Sequence, residues 1–480
     1  MARTKSEPPI ADGQPFDLNI QRVLEHWTVA HAVREVIANA LDEQVLSDTA
    51  EVQLEKDLAG DWHIRDFGRG LRHEHLAQNE SKEKLQHTAL IGKFGVGLKD
   101  ALATFDRHNI RVVIRSRHAD VTTAKMPKHG FALSTLHALV APPSDRGMVG
   151  TDFVLSGLRD NDMDMAKQFF LRYSGDEVLE KTTVGEVLTK ADRKSRIYVN
   201  GLLVAEEEQF LFSYNITAPT KALRQALNRE RTNVGRAAYS PRVKAILLAC
   251  SSAAVANPLA NDLERMQSGK ANDEVQWIEV AVQACRILNA TERVIFLTAW
   301  DLSLAPRFVA DARADGYRVV IVPETVARKL PTLKDLSGNA IRDLLEYRRE
   351  WESSFEFEFV DEAAMTDAER AIWARTAEIL RLVGGKPRAV KDIRVSETMR
   401  LSGSTFAEAV GLWEPLVGRI VIKRNQLANL ASYAATLVHE VIHARSGAED
   451  LDPAFEEALT TTLGRLAERQ MSAPKQTRSK

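Results

Sequence analysis

REVIANALDE, residues 34–43, is a stretch in which three polar side chains fall where a helix would stack them. Glu35, Asn39 and Asp42 are spaced by four and then three, which places all three on one helical face. Val33, Val36, Ile37, Ala38, Ala40 and Leu41 surround them, so the polar stripe runs through a helix otherwise suited to burial. A buried carboxylate needs a partner, and a carboxylate beside a carboxamide on one face can serve magnesium and an ordered water. A capped amphipathic helix would show the same apolar spacing, so the neighbouring sequence has to decide between the two readings.

Two glycine clusters follow, Asp66-Phe67-Gly68-Arg69-Gly70 and Gly92-Lys93-Phe94-Gly95-Val96-Gly97. Glycine lets backbone N–H groups approach phosphate oxygens, and a helix starting near Val96 would aim its positive end at them. The order ExxxNxxD, DxGxG, GxxGxG resembles the N, G1 and G2 boxes of the GHKL ATPases, the group of DNA gyrase, MutL, MORC proteins, the GHKL heat-shock chaperones and histidine kinases. Gly150-Thr151 and the alternating run after it resemble the late strand whose threonine supports the adenine pocket there. The resemblance covers about the first third of the chain. It implies a Mg-ATP site in which Glu35 orients and deprotonates the attacking water, Asn39 holds magnesium and Asp42 joins the site. Asp66 would bind the adenine amino group, with Gly68, Gly70 and Thr151 around it, and Gly92, Lys93, Gly95, Val96 and Gly97 would serve the phosphates.

The 480 residues leave room for two to four domains, and 44% hydrophobic with 27% charged residues suits a chain that buries large cores. Lys plus Arg number 64 against 66 Asp plus Glu, so the net charge of -2 does not indicate nucleic acid or an anionic membrane. The first residues lack the apolar core of a signal peptide, and no later run has the length of a membrane span. Cys250 and Cys285 are too few for a disulfide framework. The expectation is a cytoplasmic protein.

In chain order, residues 1–15 read as a loose arm, 16–160 as the ATP-binding domain, 161–290 as a transducer-like α/β and helical region, and 291–354 as a small βαβ layer with a spacer helix. A zincin-like domain over 355–470 and a polar tail over 471–480 complete the expected α/β (α+β) organisation. A helix is expected from residue 18 to about 45. A hairpin is expected around residue 58 and another at Asn200-Gly201, the strongest two-residue turn signal in the chain. Residues 72–91 are polar and occupy the place of the family's ATP lid, where His73, His75 and His87 read as solvated. Lys93 or Lys99 could face the phosphates. In several GHKL ATPases the second domain returns one basic residue to the γ-phosphate, a place that the resemblance gives to Arg231 or, alternatively, Arg229 here. A charged helix over 336–352 is expected to act as a spacer.

A second chemistry lies near the C-terminus in His439-Glu440-Val441-Ile442-His443. Two histidines four apart on one helical face reach a single zinc ion, and the glutamate beside the first can act as a base toward water. Thirteen residues intervene between His443 and Glu457, with Gly447 in a short loop and Asp452-Pro453 at a sound helix start. This arrangement resembles the gluzincin metalloproteases, whose third ligand is a glutamate on the next helix; Glu457 fits that wording better than Glu456. The strand signal at residues 417–423 stands where zincins keep an edge strand that pairs with extended substrate. The stretch departs from those enzymes in showing no identifiable transition-state tyrosine or histidine.

Together these readings give an ATPase switch of the GHKL kind, using ATP and Mg2+, that gates a Zn2+-dependent endopeptidase acting on a protein substrate. The resemblance also implies that ATP can bring two copies together as a homodimer. The rival reading keeps the ATPase as a clamp or scaffold for nucleic acid or protein and treats the zincin-like domain as inactive.

Overall fold

The computed structural model describes residues 14–18, 27–77, 90–91, 96–127, 134–229, 234–402 and 406–472. The expectations for residues 1–13, for most of the lid and for the tail after 472 lie outside them. The chain is α/β, as expected, and it divides into two compact units, Met1–Thr291 and Glu292–Lys480.

The first unit opens with a seven-stranded, wholly antiparallel sheet. Its strands are β1 (Gln14–Asp17), β2 (Gln53–Lys56), β3 (Trp62–Asp66), β4 (Arg111–Ser116), β5 (Asp120–Pro127), β6 (Ser134–Ala141) and β7 (Thr151–Ser156), in the order β1-β6-β5-β4-β7-β3-β2. The helix Val29–Ser47 packs against the helices Val96–Arg107 and Asp160–Lys167 and against β3. Its apolar residues, Val33, Val36 and Ile37 among them, share one core with Leu102, Phe105, Ile114 and Leu155. Asp48, at φ 48°, ends the helix in the left-handed region, where aspartate is tolerated.

Two expectations change here. Residues 14 and 15, read as the end of a loose arm, belong with 16 and 17 to β1 and pair with β6; a strand this short with Pro15 in it carries almost no pattern, and proline is acceptable at a sheet edge. The helix expected from residue 18 begins, among the described residues, at Val29.

A second sheet follows in the same unit: β8 (Val178–Lys181), β9 (Gly185–Leu188), β10 (Ser195–Val199), β11 (Leu202–Glu207) and β12 (Ser213–Ile216), ordered β11-β10-β12-β9-β8. The helices Arg236–Ala249 and Ala253–Arg265 pack on it, and the helix Ile278–Thr291 packs on both of them. Glu274, fully buried, fastens the helical part to the sheet by accepting from the Leu211 amide (2.7 Å) and the Tyr214 hydroxyl (2.8 Å).

In the second unit, β13 (Val294–Leu297), the helix Pro306–Ala314 and β14 (Arg318–Ile321) form the expected parallel βαβ layer. The spacer helix is shorter than the sequence suggested, Leu344–Ser354. Asp335 accepts from the amides of Ser337 and Asn339, both at 2.8 Å, which commits residues 335–339 to a turn, and Asp343 then caps the helix through the Glu346 amide. The last sheet comprises β15 (Asp392–Ser396), β16 (Gly411–Glu414) and β17 (Arg419–Lys423) in the order β15-β17-β16. The strand expected at an edge, β17, is therefore the central one, and its fully buried Ile420, Val421 and Ile422 are the reason. The helix Leu430–Ser446 packs on β16 and β17, and the helix Pro453–Ser472 packs on Leu430–Ser446. Among the described residues, no single helix is long and apolar enough to cross a membrane.

Candidate nucleotide site and candidate metal centre

The polar stripe of Val29–Ser47 is largely buried: Glu35 is 7% exposed, Asp42 1%, and Asn39 is half-buried. Burial of this kind requires pairing, and each side chain has a partner. Arg34, itself buried between Trp27 and Phe169 with its guanidinium over both rings, donates to Glu35 Oε1 at 2.7 Å. Asn39 Nδ2 donates to the Glu35 carbonyl at 2.9 Å, and Asp42 Oδ1 accepts from the Ile91 amide at 2.7 Å. Glu43 holds the first glycine loop: it accepts from the Arg69 amide at 2.9 Å and from the Arg69 guanidinium at 2.8 and 3.0 Å. Burial acts upward on the Glu43 carboxyl, but its bonds to Arg69 and Ser47 outweigh it and hold the group at about 2. Spacing does not single out Arg34 or Glu43; for Arg34 the signal in the sequence is a charge immediately before Glu35 inside an apolar run.

Asp66 ends β3 directly opposite Thr151, the first residue of β7. Asp66 Oδ1 also accepts from the Gly68 amide at 2.9 Å, and Thr151 Oγ1 accepts from the Leu71 amide at 3.0 Å. Gly68 is required by proximity, since a Cβ there would lie 2.3 Å from Glu43 Cγ. Gly150 is required twice over: its φ is +82°, and a Cβ would lie 1.9 Å from the Asp66 carbonyl oxygen. Gly70 lies in the same left-handed region. Asp66, Gly68, Gly70 and Thr151 are thus brought together, and Glu43 links them to the helix of Glu35, Asn39 and Asp42. Gly92, Lys93, Gly95 and Arg231 lie outside the described residues, while Val96 and Gly97 open the helix Val96–Arg107 and Arg229 ends the helix Lys221–Arg229.

In the second unit, the helix Leu430–Ser446 carries His439, Glu440 and His443, with Asn429 as its cap. Their partner is Asp450, from the loop after Gly447. His439 Nε2 and His443 Nε2 lie 3.1 and 3.2 Å from Asp450 Oδ1 and 3.0 Å from each other. Tetrahedral zinc with ligands at about 2.0–2.1 Å has ligand–ligand edges of about 3.3 Å, so this near-equilateral triangle of two imidazoles and a carboxylate fits the ion. His443 Nδ1 lies 2.8 Å from the Ala448 carbonyl; the hydrogen bond places the proton on Nδ1 and leaves Nε2 as the donor atom. Phe455 stacks on His443 with ring centroids 4.3 Å apart and meets His439 at 4.9 Å. Burial lowers the His439 pKa, which favours the neutral, ligating form.

Glu457, the expected third donor, is not in this cluster, and neither is Glu456; both are exposed. Helical geometry gives the reason. Phe455 is the residue turned toward the histidines, and a side chain two positions on points about 200° away. Glu440 is 6% exposed, and its carboxyl is pushed up to about 8 by burial and by nearby Asp450, against an opposing bond from the Trp413 amide. β16 crosses at this point: a Cβ on Gly411 would lie 2.6 Å from Glu440 Oε1.

Burial raises the Asp66 carboxyl to about 6, with its bond to Gly68 opposing and Glu43 adding to the rise, against about 3.9 for a free aspartate. Folding therefore favours the protonated form, and this contribution is fully present below about pH 4 and lost as the pH rises through about 6. Asp66→Asn carries no charge at any pH. In urea unfolding without nucleotide it is expected to exceed wild type at pH 8 by on the order of 2–3 kcal/mol, with the difference shrinking toward pH 4. A difference that stays constant between pH 4 and 8 contradicts the buried-charge assignment.

The family profile for the Mycoplasma pneumoniae MPN635 N-terminal domain matches residues 161–253, which include all five strands of the second sheet. An uncharacterized protein of Mycoplasma pneumoniae is 38% identical over 237 residues, spanning 48% of this chain and 96% of the relative. A second uncharacterized protein of the same organism is 24% identical over 342 residues, 67% of this chain and 96% of that relative. With such identity over nearly the whole of the first relative, the chain belongs to the family of that Mycoplasma pneumoniae protein.

Proposed function

We propose that this protein is an ATP-binding and ATP-hydrolysing switch of the GHKL kind that gates a zinc-dependent endopeptidase carried on the same chain. The observation that carries the peptidase half is the triangle of His439, His443 and Asp450 beside the buried carboxylate of Glu440. Zinc held by those three donors would supply Lewis-acid polarisation of a peptide carbonyl. Glu440 would take the proton of the attacking water and pass it to the leaving amine, and a dication nearby would lower its carboxyl from about 8 toward the ionised form this requires. Phe455 shields one side of the histidines from water, and β16 is the strand lying nearest Glu440.

The nucleotide half is supported by Asp66, Thr151 and the glycine loop held to the helix by Glu43. An ionised Asp66 accepts from an exocyclic amino group, Asn39 and Asp42 suit magnesium and its waters, and Glu35 is placed one turn before Asn39 as a base for water attack on the γ-phosphate. Arg34 donates to Glu35 and so fixes the orientation of its carboxylate.

For the nucleotide half, Asn39→Ala and Asp66→Ala are expected to abolish ATP binding in equilibrium titrations, and Glu35→Ala to bind ATP yet lose turnover by about 10²-fold or more. Unchanged phosphate release in Glu35→Ala would remove that residue from the mechanism. For the metal half, the protein is expected to carry about one zinc per chain, lost in His439→Ala, His443→Ala and Asp450→Ala but retained in Glu457→Ala. Glu440→Gln should keep zinc and lose cleavage of cellular proteins, read by mass spectrometry of newly formed termini. Zinc lost in Glu457→Ala but kept in Asp450→Ala would refute the ligand set. Zinc retained by a wild type that forms no new termini would favour the inactive, scaffold-like reading.

A further inference from the structure

Two contacts converge on residues 90 and 91, immediately before the second glycine box. The Ile91 amide donates to Asp42 Oδ1 at 2.7 Å, and Asp42 belongs to the buried polar stripe. The carbonyl of Leu90, a residue 2% exposed, accepts from Asn200 Nδ2 at 3.4 Å. Asn200 comes from the second sheet, 110 positions further along the chain.

Asn200 and Gly201 form the two-residue turn between β10 and β11, with φ of +49° and +80°, as a type I′ turn requires. The turn is fastened to its own surroundings at three points. The Asn200 amide donates to the Ile216 carbonyl at 3.1 Å, the Gly201 amide to Asn215 Oδ1 at 2.9 Å, and the Leu171 amide to the Gly201 carbonyl at 2.8 Å. A turn held in this way is a fixed post, and the side chain it presents fixes whatever it bonds. The backbone demand alone would be met by Asn, Asp or Gly, because all three tolerate the left-handed region. Only asparagine among them also supplies an N–H donor to the Leu90 carbonyl.

We propose that Asn200 is a positioning residue for the nucleotide site: it holds the Leu90–Ile91 backbone at the place where Asp42 binds it, so that the second sheet tunes nucleotide binding and turnover. This rests on the nucleotide reading given above. Asp42 has one carboxylate to divide between the Ile91 amide and a magnesium shell, and a Leu90 carbonyl freed from Asn200 would let the Ile91 amide drift from it.

The test uses the full chain with Asn200→Gly and Asn200→Asp, both of which keep the turn and remove the donor, the second also setting a carboxylate against a carbonyl. A non-hydrolysable ATP analogue, kcat and KM for ATP, and thermal unfolding are measured together. The expected result is an unfolding temperature lowered by only a few degrees, with nucleotide affinity weakened about three- to tenfold in Asn200→Gly and more in Asn200→Asp. In combination with Asp42→Asn, Asn200→Gly should add little further, since the two residues act through one backbone segment. Wild type that binds nucleotide while both Asn200 variants stay within twofold of it overturns this inference alone, as does full additivity with Asp42→Asn. Wild type that binds no nucleotide overturns the nucleotide reading and this inference with it.

Discussion

Glu43 is the side chain on which the first site depends. Its carboxylate binds the Arg69 guanidinium and amide, and its stem fills the space that a Cβ on Gly68 would need. The glycine loop is thereby fixed against the helix Val29–Ser47, and Asp66, at the mouth of that loop, is fixed opposite Thr151. The helix buries its carboxylates because each one anchors something: Glu35 takes Arg34, Asp42 takes the Ile91 amide and Glu43 takes Arg69. Charge-assisted bonds of this type are stronger than neutral ones, and losing one partner leaves an uncompensated charge in an apolar setting.

The candidate metal centre follows a different constraint, imposed by a loop. Gly447, at φ +69°, closes the helix with its amide on the His443 carbonyl, and Leu451, at φ +68°, turns the chain a second time. Between these two left-handed residues Asp450 is carried back over the histidines. The Ala448 carbonyl, in the same short loop, sets the His443 tautomer. One loop therefore places the Asp450 carboxylate beside the histidines and supplies the bond that orients His443, and the following helix contributes the Phe455 ring.

The sequence made the periodic elements legible. The stripe of Glu35, Asn39 and Asp42, the hairpin at Asn200-Gly201 and the helix of His439 and His443 all rest on local spacing or on a turn with strict backbone demands. What stayed hidden depended on long-range placement. Gln14–Asp17 becomes a strand only because β6 is there to pair with it. The Asp335 turn takes the start of the expected spacer helix, and β17 is central because β16 doubles back along it. Asp450 carries no motif, since its place beside the histidines comes from two left-handed turns that no periodicity reports, whereas Glu457, in a familiar wording, lies outside that cluster. Arg34 and Glu43 are of the same kind, ordinary charges whose importance comes from what is folded against them.

Hydrolysis of a peptide bond is downhill, so in the proposed reading an ATP site on the same chain would serve as a signal and not as a source of energy, and a ligand can shift such an equilibrium only by binding its states unequally. The central claim is that nucleotide state sets peptidase activity. Cleavage of the substrate identified by mass spectrometry should be measured at fixed zinc with no nucleotide, ADP, ATP and a non-hydrolysable analogue. The account predicts that the rate with ATP or the analogue differs from the rates with ADP or no nucleotide by about tenfold or more, as a coupling of ~1.4 kcal/mol would give. Equal rates in all four conditions, with both sites occupied, would contradict it.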